Sequence, residues 1–181
     1  MGRVEVARES GEWDHLDAVE RAHGRMNALI DDLLTLAREG DRVSDVEAVD
    51  IRDIARGCWA NVSTVDATLN VRTERSISAD RSRLQQLLEN LMRNALDHAG
   101  DDVTVTVGDI DGGFYVEDDG PGVPPDIRES VFDAGYSTDP SGTGFGLSIV
   151  EQIVSGHGWD ITVTDGTDGG ARFEITGVEF A

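Results

Sequence analysis

The chain has 181 residues and a formal net charge of −21, with 36 acidic residues against 15 basic ones. The length suits one ordinary domain with an appendage. So acidic a chain is a poor candidate for nucleic-acid binding, which needs a positive face for the phosphates. A salt-adapted (halophilic) surface is the simpler explanation of its carboxylates. All 15 basic residues are arginines, and the absence of lysine excludes a Walker P-loop, the common protein-kinase signature and Schiff-base catalysis.

Residues 1–45 predict the remnant of a helical hairpin. Residues 12–39 fit one long helix, because a seam of mostly apolar residues recurs at alternating spacings of three and four. Further leucines beside the seam widen the apolar stripe, which favours a helical bundle. The segment GRVEVARES could be the end of a preceding helix, and residues 39–41 predict a linker. The seam positions are Leu16, Val19, His23, Met26, Ile30, Leu33 and Ala37.

Residues 46–181 predict a second domain with an α/β (α+β) two-layer sandwich fold. Asp50 and Asp80 are expected to cap two helices, IRDIARGCWANV and RSRLQQLLENLMRNALDHA. Residues 68–78 favour β structure, and DVTVTV with GGFYVED predicts a hairpin that turns at Gly112-Gly113. A third helix, LSIVEQIVSGHG, precedes a final strand pair, WDITVTD and ARFEITG. This order predicts a mixed, mostly antiparallel sheet covered by helices on one face.

The first segment with chemical character lies on the helix that follows Asp80. Asn90, Asn94 and His98 are spaced by four residues, so they share one face of that helix, opposite its leucines. Amide oxygens suit Mg²⁺, which takes few protein ligands and keeps waters and phosphate oxygens around it. Taken alone, a solvated polar face is the simpler explanation of this pattern.

The second segment is Asp118-Asp119-Gly120-Pro121-Gly122, just after a predicted strand. A carboxylate at a strand end can accept a hydrogen bond from an adenine amino group, and glycines let the backbone approach a planar base closely. An acidic turn explains the segment equally well when it is considered alone.

The third segment is Gly142-Thr143-Gly144-Phe145-Gly146-Leu147, which opens a predicted helix. Backbone N–H groups at such a start point at an anion. The spacing GxGxG differs from the GxGxxG of dinucleotide-binding folds, and a flexible loop is the alternative. The order of a metal-ligating helix, a base-binding turn and a phosphate loop is more specific than any one of the three.

In this order and spacing, the segments resemble the catalytic, ATP-binding domain of sensor histidine kinases, within the superfamily of gyrase, heat-shock chaperone, histidine kinase and MutL ATPases. LLENLMRNALDHA resembles the N box of the family, VEDDGPGVP its G1 box, VFDAGYST its F box and SGTGFGLSIV its G2 box. DGGARFEI resembles its last glycine-rich strand, and the resemblance covers about residues 50–176.

The resemblance implies ATP and Mg²⁺ as cofactors and a role for each matching residue. Asn94 would be the main Mg²⁺ ligand, with help from Asn90. Arg93 and His98 would lie near the phosphates, and Asp118 would accept a hydrogen bond from the adenine amino group. Glycines implied beside the base are Gly120 and Gly122, lid residues are Phe132 and Tyr136, and residues along the triphosphate are Gly142, Thr143, Gly144, Phe145, Gly146 and Leu147.

Two positions depart from the family pattern. Asp97 stands where many of these kinases carry a lysine, and Ala171 stands where many relatives carry a threonine. An acid near a triphosphate would repel it unless Mg²⁺ or Arg93 offsets the charge. We therefore expect weaker phosphate binding and one altered water-linked contact near the base.

The resemblance also implies a phosphoacceptor histidine followed by an acid on the first helix of a hairpin. None of the four histidines, at positions 15, 23, 98 and 157, has those surroundings. MNALIDDLLTLARE resembles the second hairpin helix instead, so the chain is expected to begin after its acceptor. We therefore expect transfer of the ATP γ-phosphoryl group to a histidine outside this chain, phosphorelay to a response regulator receiver domain, and a homodimer weakened by the incomplete hairpin.

Other functions stay open at this level. A serine kinase of the anti-sigma type has the same ATP fold, although the long apolar seam argues against it. A non-catalytic nucleotide-binding regulatory module would fit the missing acceptor and Asp97. A gyrase-like ATPase is less favoured, because its general base is usually a glutamate at the position of Asn90.

The chain carries few signals of location. No apolar run approaches the roughly 20 residues that span a membrane, and no secretory signal opens the sequence. The single cysteine, Cys58, cannot form an internal disulfide and is expected to pack. These features predict a cytoplasmic location, within a longer parent protein that could be tethered to a membrane.

Overall fold

The computed structural model describes residues 45–62, 66–100, 102–137 and 143–181. The predicted hairpin helix of residues 12–39 and the stub before it lie outside the described residues. That helix and the domain boundary after residue 45 therefore stay predictions.

The described chain folds into three α-helices and seven strands, which except for β1 lie close to the predicted positions. Two short 3-10 turns, Pro125–Ile127 and Ser130–Phe132, separate β5 from α3. The elements are β1 Val46–Asp50, α1 Ile51–Asn61, β2 Thr68–Val71, β3 Ser76–Asp80, α2 Arg81–Ala99, β4 Thr104–Ile110, β5 Gly113–Asp118, α3 Gly146–His157, β6 Asp160–Asp165 and β7 Ala171–Thr176.

The main sheet has five strands in the order β2-β4-β5-β7-β6. The β2–β4 pair is parallel, and the three other pairs are antiparallel. The predicted mixed, mostly antiparallel sheet is therefore confirmed. The β4–β5 turn lies one residue earlier than predicted, because Gly113 is already in β5, where a Cβ would lie only 1.8 Å from the carbonyl oxygen of Ile175.

Both predicted helix caps are confirmed. The Asp50 carboxylate accepts a hydrogen bond from the backbone N–H of Asp53 at 3.0 Å. Asp80 Oδ1 accepts from the N–H groups of Ser82 and Arg83 at 3.0 and 3.2 Å. These contacts satisfy N–H groups that the first helical turn cannot pair internally.

The hydrophobic core lies between the helices and one face of the main sheet. From the sheet, Phe114 and Ile175 are fully buried in it. Because α2 turns its apolar stripe to this core, the asparagines lie outside the stripe. The buried residues of α2 are Leu84, Leu87, Leu88, Leu91, Met92 and Ala95.

A second, smaller sheet was not predicted. Strand β1 pairs with β3 in antiparallel orientation. The end of the chain lies on the other edge of β3, where Ser78 N–H donates to the Glu179 carbonyl and Ala181 N–H to the Ser76 carbonyl, both at 2.9 Å. Because the two strands are antiparallel, α1 and α2 start at opposite ends of this pair: Asp50 lies opposite Ser76, and Asp80 lies opposite Val46.

Candidate functional site

The three predicted segments lie against one another. A Cβ built on Gly146, at the start of α3, would lie 3.4 Å from Asn90 Oδ1 on α2. A Cβ on Gly120, just after β5, would lie 2.4 Å from the Cβ of Ala99 at the end of α2. The fold therefore brings the polar face of α2 beside both the acidic turn and the glycine-rich helix start.

Asp118 is the last residue of β5 and is only 9% exposed. Its Oδ1 accepts hydrogen bonds from the N–H groups of Gly120 at 2.9 Å and Ala171 at 3.2 Å. Burial raises the pKa of Asp118, and these two donors partly oppose that effect. Asp119 nearby raises the pKa further, whereas His98 lowers it. The carboxylate is therefore both fixed in orientation and partly removed from water.

The wall beside Asp118 consists of bare backbone from the turn between β6 and β7. A Cβ on Gly170 would lie 1.9 Å from the Asp118 carbonyl oxygen and 2.6 Å from its Oδ1. Gly122 has a φ of +73°, and a Cβ there would lie 2.9 Å from the Gly169 carbonyl oxygen. Side chains are sterically excluded from both positions, so these backbone segments pack directly against one another.

The polar residues predicted on α2 differ in exposure. Asn90 and Asn94 are half-buried, whereas Arg93, Asp97 and His98 are exposed. The Asn90 side-chain amide donates to the carbonyl of Gln86 at 2.9 Å, one helical turn earlier. This bond occupies the amide nitrogen and leaves the carbonyl oxygen on the side of Gly146.

The donor set fits Mg²⁺ better than a transition metal. Among the described residues, no group of three or more His, Cys, Asp or Glu side chains is placed to hold a metal ion. The available ligands are the amide oxygens of Asn90 and Asn94, which are hard ligands of the kind that Mg²⁺ accepts alongside water and phosphate oxygens.

The start of α3 has the character of an anion site. The helix begins at Gly146 after Phe145, with no side chain bonded as a cap. Thr143 Oγ1 accepts from Phe145 N–H at 3.4 Å, ahead of the first turn. The N–H groups of that turn have no partner within the helix, and the helix dipole makes them attractive to phosphate. Leu147 lies in the turn and is half-buried, whereas Gly142 lies outside the described residues.

The two predicted lid residues have different surroundings. Phe132 is 9% exposed and belongs to the hydrophobic core, while Tyr136 is half-buried against that core. Gly135 N–H donates to the Gly144 carbonyl at 2.9 Å, and a Cβ on Gly144 would lie 2.7 Å from the Gly135 backbone. Phe132 thus anchors the segment, and the Gly135–Gly144 pair joins the base of the loop to the start of α3.

Three residues of this site were not singled out from the sequence. Gly170 and Ala99 form close contacts with Asp118 and Gly120, and Gly135 pairs with the segment before α3. The adjacent glycines 169 and 170 were the only signal for the first of them. Ala99 and Gly135 lie within the segments that resemble the N box and the F box, but their contacts were not indicated because they join segments that are distant in sequence.

Residues 79–178 match the family of histidine kinase-, DNA gyrase B-, and HSP90-like ATPases. The match covers more than half of the chain and includes α2, the acidic turn, the start of α3 and β7. The chain belongs to this family.

Sensor histidine kinases are among its similar proteins. The chain is 35% identical over 162 residues to the signal transduction histidine-protein kinase AfsQ2 of Streptomyces coelicolor, covering 83% of this chain and 30% of that protein. It is 32% identical over 195 residues to the sensor histidine kinase CpxA of Escherichia coli, covering 97% of this chain and 42% of that protein. The chain therefore spans less than half the length of these curated relatives.

Solved structures agree with this assignment. Full-length ShkA, in complex with AMPPNP, superposes with a TM-score of 0.72 at 30% identity, over 95% of this chain and 40% of that one. The mycobacterial sensor histidine kinase MprB superposes with a TM-score of 0.63 at 29% identity, over 75% of this chain and 97% of that one. Together these matches identify an ATP-binding catalytic core of the histidine kinase type. In the part of the chain that the structure describes, no helix is long and apolar enough to span a membrane.

Proposed function

We propose that this chain binds Mg-ATP between Asp118, the asparagines of α2 and the start of α3, and that it acts as the catalytic core of a two-component sensor histidine kinase. The observation that carries the proposal is the Asp118 carboxylate, buried at a strand end and held by the N–H groups of Gly120 and Ala171. A carboxylate held by one oxygen can present the other, Oδ2, to the amino group of a base.

Adenine is the base that suits this carboxylate. Its exocyclic amino group donates a hydrogen bond, whereas a carbonyl at the same ring position would repel the charge. A hydrogen bond to a charged partner contributes about 1.5–3 kcal/mol, and the partial burial of Asp118 favours the upper part of that range. Gly122 and Gly170 let the β6–β7 turn pack directly against Asp118 and the residues after β5, and this packing would hold the carboxylate in place for the base.

The triphosphate is proposed to extend from the base toward α2 and α3. Asn94, with help from Asn90, would hold Mg²⁺, which would supply positive charge to offset that of the phosphates. The N–H groups from Gly142 to Leu147 would bind the phosphates, and Arg93 and His98 would lie beside them. Asp97 is exposed on the same helix, so solvent screens its repulsion, which is about 1 kcal/mol at 4 Å in water.

The reaction proposed is in-line transfer of the γ-phosphoryl group. The bond from the γ-phosphorus to the bridging oxygen breaks, a bond from phosphorus to an imidazole nitrogen of the acceptor forms, and ADP leaves. The chain contributes mainly by positioning the nucleotide and stabilising its charge. The acceptor histidine would belong to another hairpin, and residues 12–39 would supply a homodimer contact. A response regulator receiver domain, and a cytoplasmic location within a longer parent protein, complete the proposal.

A nucleotide titration tests the site. A fluorescent ATP analogue is titrated with Mg²⁺ at high salt against the unaltered chain, Asp118→Asn and Asn94→Ala, with Asp111→Asn and Asn70→Ala as controls of matched chemistry on exposed positions. We expect both site variants to lose binding and both controls to keep it. Unchanged binding in Asp118→Asn and Asn94→Ala would overturn the assignment.

A second experiment separates a kinase from a silent binder. Labelled ATP is added together with a separately produced acceptor hairpin, and the label is tested for the acid-labile, base-stable behaviour of phosphohistidine. Label on the hairpin supports the kinase. Nucleotide binding without label would favour the non-catalytic regulatory module, the alternative that Asp97 keeps open.

A further inference from the structure

We infer that Glu117, on the face of the sheet opposite the helices, is a positioning residue that sets the base selectivity of the nucleotide site through the β6–β7 turn. The inference rests on the proposed function, because it concerns how the base-binding carboxylate of Asp118 is held. Successive residues of a strand face opposite sides of the sheet, so Glu117 does not share the side from which Asp118 meets the base.

Glu117 is a buried carboxylate on the sheet face opposite the described helices, only 7% exposed. It accepts hydrogen bonds from the backbone N–H of Thr167 at 3.4 Å and from Thr167 Oγ1 at 3.2 Å. It also pairs with the Arg172 guanidinium at 3.2 Å. That guanidinium lies 3.6 Å from the centre of the Tyr115 ring and pairs with Glu174 at 2.7 Å. Glu117 is therefore held both from β7 and from the β6–β7 turn.

The β6–β7 turn is closed on itself by two backbone hydrogen bonds. Gly166 N–H donates to the Gly170 carbonyl at 2.7 Å, and Gly169 N–H donates to the Gly166 carbonyl at 3.1 Å. Thr167 lies inside this closed turn, so its contacts with Glu117 fix the turn from one face of the sheet. The N–H of Ala171, donating to Asp118 Oδ1, fixes it from the other face.

The two contacts are mechanically linked because the clearance at Asp118 is small. A Cβ on Gly170 would overlap the Asp118 backbone, so this backbone already lies in close contact with the strand. A turn released by Glu117 would carry Gly170 and Ala171 with it. The Ala171 donor would then leave Asp118 Oδ1, and the carboxylate would no longer be held in one orientation toward the base.

A neighbouring cavity allows the contact between Thr167 and Glu117 to be removed without unfolding the protein. A polar cavity of about 120 Å³ opens beside Glu117, lined in part by Asn70, Arg72, Thr106 and Thr167. Water can enter a polar space of this size and donate a hydrogen bond to Glu117 in place of a lost Thr167 hydroxyl. Loss of the Thr167 hydroxyl is therefore expected to release the turn rather than to disrupt the core.

The test compares Thr167→Val and Glu117→Gln with the control Glu174→Gln. The control breaks a pair of Arg172 on the same face without touching the turn. Competition against a fluorescent nucleotide gives the Kd of Mg-ATP and of Mg-ITP, whose base has a carbonyl in place of the amino group, and thermal unfolding is followed in parallel. We expect the unaltered chain and the control to prefer ATP by about tenfold or more, the value expected from one charge-assisted hydrogen bond.

In Thr167→Val and Glu117→Gln, we expect this preference to fall by about threefold or more while ITP affinity stays unchanged, because only the orientation of Asp118 is lost. An unchanged ratio of the two Kd values in both variants overturns the inference, and so does an equal loss of affinity for both nucleotides, which a merely structural role would give. If the unaltered chain binds no ATP, the proposed function fails first. If it binds ATP with the expected preference and the variants keep it, only the inference fails.

Discussion

Replacement of Gly170 by alanine tests the close backbone packing beside Asp118, the proposed base-binding carboxylate. The added methyl group would lie 1.9 Å from the Asp118 carbonyl oxygen and 2.5 Å from its carbonyl carbon, whereas real Cβ atoms do not approach other atoms within 3.0 Å. Both contact atoms belong to the backbone of β5, so no side-chain rotation relieves the overlap. The turn must move away from Asp118 by about 1 Å, the scale of misplacement that costs function in preorganised sites.

The expected cost follows from this overlap. Forcing an extra carbon into a packed site costs about 1–3 kcal/mol, and here part of the displacement falls on the hydrogen bond from Ala171 to Asp118. We expect Gly170→Ala to lower the affinity for Mg-ATP by about tenfold or more and to lower the melting temperature by about 4 °C or more. Isothermal titration and calorimetry measure the two effects on the same sample.

Gly57→Ala is the matched control, because a Cβ at Gly57 meets nothing within 4 Å. If Gly170→Ala binds ATP as well as this control does, and melts at the temperature of the unaltered chain, then the β6–β7 turn is not the rigid wall described above. The overlap expected between a Cβ on Gly170 and the Asp118 backbone would then have no effect on binding or stability.

Three further predictions concern pH and helix stability. His157 accepts a hydrogen bond from Asp80 N–H through Nε2 at 3.1 Å and donates from Nδ1 to the Ile153 carbonyl, and burial lowers its pKa. Because the unfolded chain then binds the proton more readily, the free energy of unfolding should fall as pH drops below about 6.5. His157→Gln should flatten this pH dependence in urea unfolding, and an equally steep slope in the variant would contradict the prediction. Burial raises the pKa of Asp118, so the preference for ATP over ITP should disappear on acidification at a pH above the usual aspartate range; competition titrations that keep the preference down to that usual range would refute this. Gly57 lies in the interior of helix α1 and is exposed to solvent, so Gly57→Ala should stabilise the fold by about 0.5–1 kcal/mol. Calorimetry should show this as a higher melting temperature, and an unchanged melting temperature would contradict the placement of Gly57 within the helix.

Local signals in the sequence were sufficient for the helices and the hairpin. Asp50 and Asp80 act within three residues of their own position, so their capping roles follow from the sequence alone. Strand β1 was missed because its stability comes from pairing with β3, about 30 positions later along the chain. The return of Glu179 to the edge of β3 is still less local, since its partner Ser78 lies 101 positions earlier.

The candidate site was predictable in its residue types but not in its close contacts. The spacing of Asn90 and Asn94 placed both on one face of α2, and the structure keeps that face outside the apolar stripe. The donor from Ala171 to Asp118 and the positions of Gly170 and Glu117 depend on how β5 and β7 approach each other. No spacing within a single segment carries that information, so these contacts required the folded structure.

The hydrogen bond from Gly135 N–H to the Gly144 carbonyl has a consequence for how such proteins can diverge. It closes the base of the loop, so residues inserted or deleted between these two glycines leave the strands and helices undisturbed. Each doubling of a flexible loop costs only about 0.6 kcal/mol in closure entropy. Descendants of this chain could therefore vary the number of residues between Gly135 and Gly144 while the contact between these two glycines is kept.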